Sequence, residues 1–194
     1  MRSGAGGKVE EADVRSMRAD GQRNLDTLLR AAKEVFAVDG VNAPIRTIAT
    51  KAGLGVGTIY RHFPQRSDLI AAVFRREIDD CADAANNLAR LHDPVEALEL
   101  WMLRFCVFFA TKKGLAEALH SGESAYSSLP GHFEAQLRPA LENLLASACA
   151  TGRIQADIAA SELLGAIARL SMSDSGDAAQ AQRMVALLGK GLRR

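Results

Sequence analysis

The chain has 194 residues, 48% of them hydrophobic, with 24 Lys+Arg against 23 Asp+Glu and a net charge of +1. That is apolar material for one large or two small domains with real cores. The three cysteines, Cys81, Cys106 and Cys149, are odd in number and far apart, which excludes a disulfide framework and has no metal-ligand spacing.

Residues 1–21 are polar, Gly-rich and mixed in charge, without the apolar centre of a signal peptide; they read as a flexible tail. Leu25, Leu28, Leu29, Ala32, Val35 and Phe36 then form one amphipathic helical stripe, stopped at Asp39-Gly40. Asn42-Ala43-Pro44 opens a second helix with Pro44 suited to its first position and Ala43 a poor cap. Ile45, Ile48 and Ala49 share its inner face, and Gly53 stands where a helix C-terminus needs positive φ. Leu54 plugs the turn. Gly55 and Gly57 flank Val56 at the start of a third, short helix, in which Ile59 and Phe63 are four apart and face inward. Thr58, Arg61 and His62 are left on other faces, with Tyr60 at an edge. Pro64 ends this helix. Leu69, Ile70, Val73 and Phe74 begin a fourth helix, running to about residue 89 or 91, with Gln65 a weak cap.

Asp93-Pro94 caps and opens a fifth helix over 94–111, on which Leu98, Trp101, Met102, Phe105, Phe108 and Phe109 make a broad apolar stripe. Its apolar run is too short for a membrane span. Lys112-Lys113-Gly114 ends it. A short helical turn over 115–120 and a polar loop around Tyr126 follow. Residues 130–151 hold one or two helices, divided or not at Pro139. Helices over 161–170, capped by Ser161 or Asp157, and over 177–192, with Ala181, Met184, Val185 and Leu188 on one face, complete the chain. No β pattern and no internal repeat is present. The fold class is therefore all-α with about nine helices.

The order helix, turn, short helix, Pro, helix over residues 47–69 is that of a helix-turn-helix, whose second helix is shaped to enter the major groove of DNA. The outward set on the short helix can donate hydrogen bonds, add charge and stack, as contacts to base edges and phosphates require. The charge distribution agrees: residues 1–75 carry 12 Lys+Arg and 8 Asp+Glu, a balance of +4, whereas the remainder carries 12 and 15, a balance of −3. A basic head on an acidic body suits a DNA-reading end and a body that stays off DNA.

The stretch LLRAAKEVFAVDGVNAPIRTIATKAGLGVGTIYRHFPQRSDLIAAVF, within residues 22–74, resembles the N-terminal domain of the tetracycline-repressor (TetR) family of bacterial transcription regulators, with GVGTIYRHF its most specific part. The resemblance implies a helix-turn-helix domain over 22–66 and a helical regulatory and dimerisation domain over 67–194. By position it places Val56, Gly57, Thr58 and Arg61 nearest base edges, and Tyr60 and His62 on the phosphate backbone, with Gly55 also in the DNA-binding set. Arg66, where the family usually has lysine, would hold a phosphate at the helix N-terminus, and Arg46, Thr47 and Lys51 would straddle the backbone. The missing Thr or Ser at the start of the second helix puts one phosphate contact in doubt.

The resemblance further implies a homodimeric repressor in the cytoplasm. Its partners would be double-stranded DNA carrying a palindromic operator, a second copy of itself, and an unidentified small apolar effector; no cofactor, metal or membrane is implied. Leu163, Leu164, Ala166, Ile167, Leu170, Met184, Leu187 and Leu188 are the expected dimer-interface residues. Trp101, Met102, Phe105, Phe108 and Phe109, with His120 and Tyr126 as polar contacts, are the expected ligand-pocket residues; an ordinary core helix is the alternative for each. A regulator without a small-molecule ligand is a second reading of the body. An enzyme is a third, supported by no catalytic order, paired carboxylates, phosphate-binding loop or metal spacing, although His120 and His132 bracket a loop beside Glu123 and Glu134.

Overall fold

A computed structural model describes residues 6–110, 123–155, 157–172 and 177–194 of the chain, with side chains described from residue 21 onward and not for Ala110. Among them are eight α-helices: α1 (Gly6–Asp39), α2 (Ile45–Ala52), α3 (Val56–His62), α4 (Arg66–Leu91), α5 (Pro94–Ala110), α6 (Leu129–Ala150), α7 (Ala160–Ser171) and α8 (Ala178–Gly191), with a single 3-10 turn at Ser124–Tyr126. No strand is present among the described residues; an isolated bridge joins Ile154 to Arg193. The expected helical turn over 115–120 lies outside the described residues.

Two cores divide the molecule. The head core gathers Leu28, Ala32, Val35 and Phe36 of α1, Ile48 and Ala49 of α2, Ile59 of α3, and Leu69, Ile70, Val73 and Phe74 of α4. The body core gathers Ile78 and Cys81 of α4 with Leu98, Trp101 and Phe105 of α5, Leu137, Leu141 and Leu144 of α6, Leu163 and Ile167 of α7, and Val185 of α8. Helix α4 therefore serves both, its first two turns in the head and the rest in the body.

The helix ends refine the sequence reading. Residues 6–21, expected as a tail, carry helical backbone continuous with α1; the run from Lys8 to Asp20 contains Glu, Ala, Arg and Met, all good helix formers, and no proline, so a helix nucleated below can propagate through it. Pro44 is the N-cap of α2 rather than its first residue. Gln65 has its own N–H capped by Asp68 Oδ2 at 3.0 Å. Ala159, not Ser161 or Asp157, precedes α7, and Glu162 reaches back to its N–H at 3.1 Å. Pro139 lies inside a continuous α6 and does not split it. Asp93 caps α5 as expected, accepting from Val95 N at 3.0 Å, whereas Asp177, expected as the first residue of the last helix, is instead the N-cap of α8, accepting from Ala179 N at 2.9 Å. The C-terminus is clamped onto the body by a two-pronged Arg193–Glu99 pair at 2.8 and 2.7 Å. No helix among the described residues is long and apolar enough to cross a membrane.

Candidate nucleic-acid interface and apolar cavity

The turn between α2 and α3 is built from backbone. Gly53 has φ +67, and the Leu54 N–H returns to Ala49 O at 3.0 Å, the αL closure that satisfies orphan carbonyls at a helix end. Gly55 then caps α3, accepting from Thr58 N at 2.9 Å. Ile59 is the one fully buried side chain of α3 and anchors it, while Val56 and Phe63 pack partly against the same core. With the inner face held there, Gly57, Tyr60, Arg61 and His62 are exposed and Thr58 is half-buried. On α2, Arg46 and Thr47 are exposed as well. The solvent-facing surface of the head thus brings together most of the residues expected at DNA.

Two of the expected contacts are engaged inside the chain. The Arg66 guanidinium turns inward: Nε donates to Val41 O at 3.0 Å, and Nη2 donates to Val41 O and to Ala43 O. It holds the α1–α2 turn rather than standing free for a phosphate, because that turn leaves two carbonyls facing the start of α4. Lys51 Nζ lies 2.7 Å from Glu34 Oε2 on α1, and this lysine holds the Glu34 carboxyl below its ordinary range. Both partners are half-exposed, so the pair is weak and exchangeable.

In the body, the aromatic stripe of α5 divides in two. Trp101 and Phe105 are fully buried and stacked, centroids 5.3 Å apart, and Trp101 Nε1 donates to Cys81 O at 2.8 Å. Met102 is buried beside Gly189 of α8. These three belong to the body core. Phe108 and Phe109 do line a cavity of about 220 Å³, with Phe74 and Ile78 of α4 and Leu129, Pro130 and Phe133 of α6. Sequence reading missed the α4 and α6 walls, because the crossing of three helices leaves no periodic signature. Two other clefts, of about 290 and 230 Å³, are lined by charged groups including Lys33, Glu77 and Asp80.

Tyr126, expected as a polar ligand contact, is instead 5% exposed in the head core; the loop carrying it folds down onto α4. Burial raises its phenol pKa above the ordinary value. His120 lies outside the described residues. His132 pairs with Asp79, Nε2 to Oδ1 at 2.6 Å, and no group of three or more His, Cys, Asp or Glu among the described residues is placed to hold a metal.

The expected dimer residues also separate. Leu163, Leu164 and Ile167 are buried within their own subunit, since α7 turns that face onto α5. Ala166, Leu170 and Leu188 are partly covered, whereas Met184 and Leu187 are exposed, together with Met172 at the end of α7.

Residues 28–73 match the family model described as bacterial regulatory proteins of the tetR family, and residues 93–194 match the C-terminal domain of SbtR-like transcriptional regulators. The chain belongs to the TetR family. Its fold is shared with a solved TetR transcriptional regulator of Streptomyces coelicolor, 35% identical, covering 87% of this chain and 97% of that one at a TM-score of 0.73. It is shared equally with a TetR regulator of Mycobacterium vanbaalenii, 31% identical, covering 92% and 99% at 0.69. A helix-turn-helix transcriptional regulator of Staphylococcus aureus is 28% identical over 110 residues, 56% of this chain; the match spans 60% of that relative's length. The TetR-family description covers DNA-binding regulators, and α2–α3 is the helix-turn-helix of this one.

Proposed function

We propose that this TetR-family chain is a homodimeric, sequence-specific repressor that leaves a palindromic operator when a small apolar molecule occupies the α4–α5–α6 cavity. The observation that carries the DNA half is the presentation of α3. Ile59 fixes the helix from below, and Gly57, Tyr60, Arg61 and His62 are open to solvent above it. In this reading Thr58 and Arg61 read bases, whereas Tyr60 and His62 hold phosphates and carry no sequence information.

The dimer reading is supported by Met172 at the end of α7 and Met184 and Leu187 on α8, large apolar side chains left exposed, with Ala166 and Leu170 of α7 only partly covered. Isolated exposed apolar residues are ordinary, but three large ones on two packed helices suit a surface that a second copy covers. A two-fold pair of heads would read two half-sites about one helical turn apart. The effector reading is supported by the walls of the cavity, seven apolar residues of which five are aromatic or proline rings. Such a wall favours an apolar, planar molecule of modest size and offers few partners to a charged one.

The test is selection of binding sites from a random DNA pool by the purified chain at moderate salt. Enrichment of a palindrome is the expected result, with affinity falling on added salt at a log–log slope of about −0.9 per neutralised phosphate. A salt-insensitive complex would overturn the DNA reading as a whole, and enrichment of asymmetric single sites would overturn the dimeric one.

A further inference from the structure

One short stretch of chain belongs to both halves of the molecule. Tyr126 and Leu129 are buried members of the head core, packed with Leu69, Ile70 and Phe74. Leu129, with Pro130 and Phe133, is also the α6 wall of the apolar cavity. The stretch is stiff. Tyr126 N donates to Glu123 O at 3.1 Å, Ser127 Oγ to Ser124 O at 2.8 Å, and His132 N to Ser128 O at 3.0 Å.

It is also fastened to α4 at two levels one helical turn apart. Arg75 Nη2 donates to Ser128 Oγ at 2.7 Å, and His132 Nε2 meets Asp79 Oδ1 at 2.6 Å. At its other end, the Tyr126 phenol is within electrostatic reach of Arg66, the side chain that holds the α1–α2 turn through Val41 O and Ala43 O.

We infer that residues 126–129 are a coupling wedge, through which an occupant of the cavity acts on the DNA-binding head. The inference rests on the effector reading of the cavity given above. A molecule entering between Phe109, Phe133 and Phe74 must press on Leu129 and Pro130. Close-packed interiors do not absorb such a push locally; they pass it to the next side chain. Leu129 has its other neighbours in the head, and three residues upstream on the same stiff turn stands Tyr126. The push therefore arrives beside Arg66 and the start of α4, the corner on which α2 and α3 are set. Tyr126 is a positioning residue in this scheme: it lines no part of the cavity and lies off the exposed face of α3.

The experiment uses the full chain and N-phenyl-1-naphthylamine, an apolar fluorophore, as the cavity probe. Probe binding is read by fluorescence, and the head's response by hydrogen–deuterium exchange of peptides within residues 25–63. The variants are Tyr126→Leu, Tyr126→Phe, which keeps the ring, and Leu145→Ala, a body-core change elsewhere on α6. In the native chain the probe is expected to change head exchange by about twofold or more. Tyr126→Leu should bind the probe with unaltered affinity and lose that response, while Tyr126→Phe and Leu145→Ala keep it. A Tyr126→Leu chain that binds probe and still shows the native response would overturn the wedge.

If the native chain does not bind the probe, the effector reading of the cavity fails for this class of molecule, and exchange in the free protein decides the wedge separately. Tyr126→Leu should then speed exchange both in the head and at residues 129–137, across the boundary. A change confined to the head would overturn it.

Discussion

Gly53 and Gly57 sit four residues apart in the helix-turn-helix, and replacing each with alanine should separate folding from DNA contact. Gly53 has φ +67, and a Cβ added there would meet nothing within 4 Å. The penalty of Gly53→Ala is therefore conformational alone, about 1–2 kcal/mol for a side chain held in the left-handed region. For a chain of this size each kcal/mol moves Tm by about 2–4 °C, so the midpoint should fall by about 2–8 °C. A domain with about 5–15 kcal/mol of stability stays folded after such a loss, so affinity for a selected operator should change little. Gly57 is inside α3 with ordinary helical backbone, and a Cβ there also meets nothing within 4 Å. Alanine should gain about 0.5–1 kcal/mol by restricting the unfolded chain, raising Tm by about 1–4 °C. Its methyl would stand on the exposed face of α3, where the proposed groove contact brings backbone near the bases. Affinity should fall by about tenfold or more, equivalent to about 1.4 kcal/mol. Scanning calorimetry and fluorescence anisotropy with a labelled duplex, run on both variants, give the four numbers. A Gly57→Ala protein that binds the operator as tightly as the native chain would refute the assignment of this face to DNA. One that melts lower would refute the open surroundings of Gly57.

Arg66→Ala should lower stability by about 1.5–3 kcal/mol in urea titration, because the carbonyls of Val41 and Ala43 lose a charged donor; unchanged unfolding with weakened DNA binding would return Arg66 to a phosphate role. Leu187→Glu puts a charge on the exposed α8 surface, where Leu187 is 57% exposed in the single chain, and should give a folded monomer by sedimentation velocity; a persisting dimer would move the interface elsewhere. The Asp93 carboxyl is held below the usual range first by its hydrogen bond from Arg153. A depressed carboxylate contributes stability above its unfolded pKa, near 3.9, and loses it as pH falls through the folded value. Arg153→Gln should raise the Asp93 pKa followed by NMR, and the two proteins should converge in stability at the acid end; an unmoved Asp93 titration would show that the pair does not persist in solution.

The helix-turn-helix was legible because its determinants are local. Ile48, Ile59 and Phe63 mark inner faces by spacing alone, Gly53 marks the turn where positive φ is needed, and Asp93-Pro94 announces a helix start through a cap within three residues of itself. Periodicity and capping are properties of neighbouring residues, so a single chain of letters carries them. The same reasoning misread the N-terminal 6–21 segment, where polarity outweighed helix propensity, and expected a possible break at Pro139, where packing on both sides keeps α6 whole.

The all-α class, the register of the head helices and the family can be read from the residues alone; each follows from side-chain pattern within one element or from a contiguous motif. Which atoms meet across elements emerges only from the packing of the helices. Arg66 looks like a phosphate ligand until α4 is set beneath the α1–α2 turn, and Leu163 and Ile167 look like interface residues until α7 closes on α5. Tyr126 looks like a ligand contact until the 3-10 turn is laid on the head. The cavity belongs to the same class, since Phe74, Phe109 and Phe133 lie far apart in the chain and become one wall only when α4, α5 and α6 cross. The physical reason is that burial and hydrogen-bond choice depend on the relative placement of helices, which is fixed by the summed packing of whole faces and not by any short window of residues.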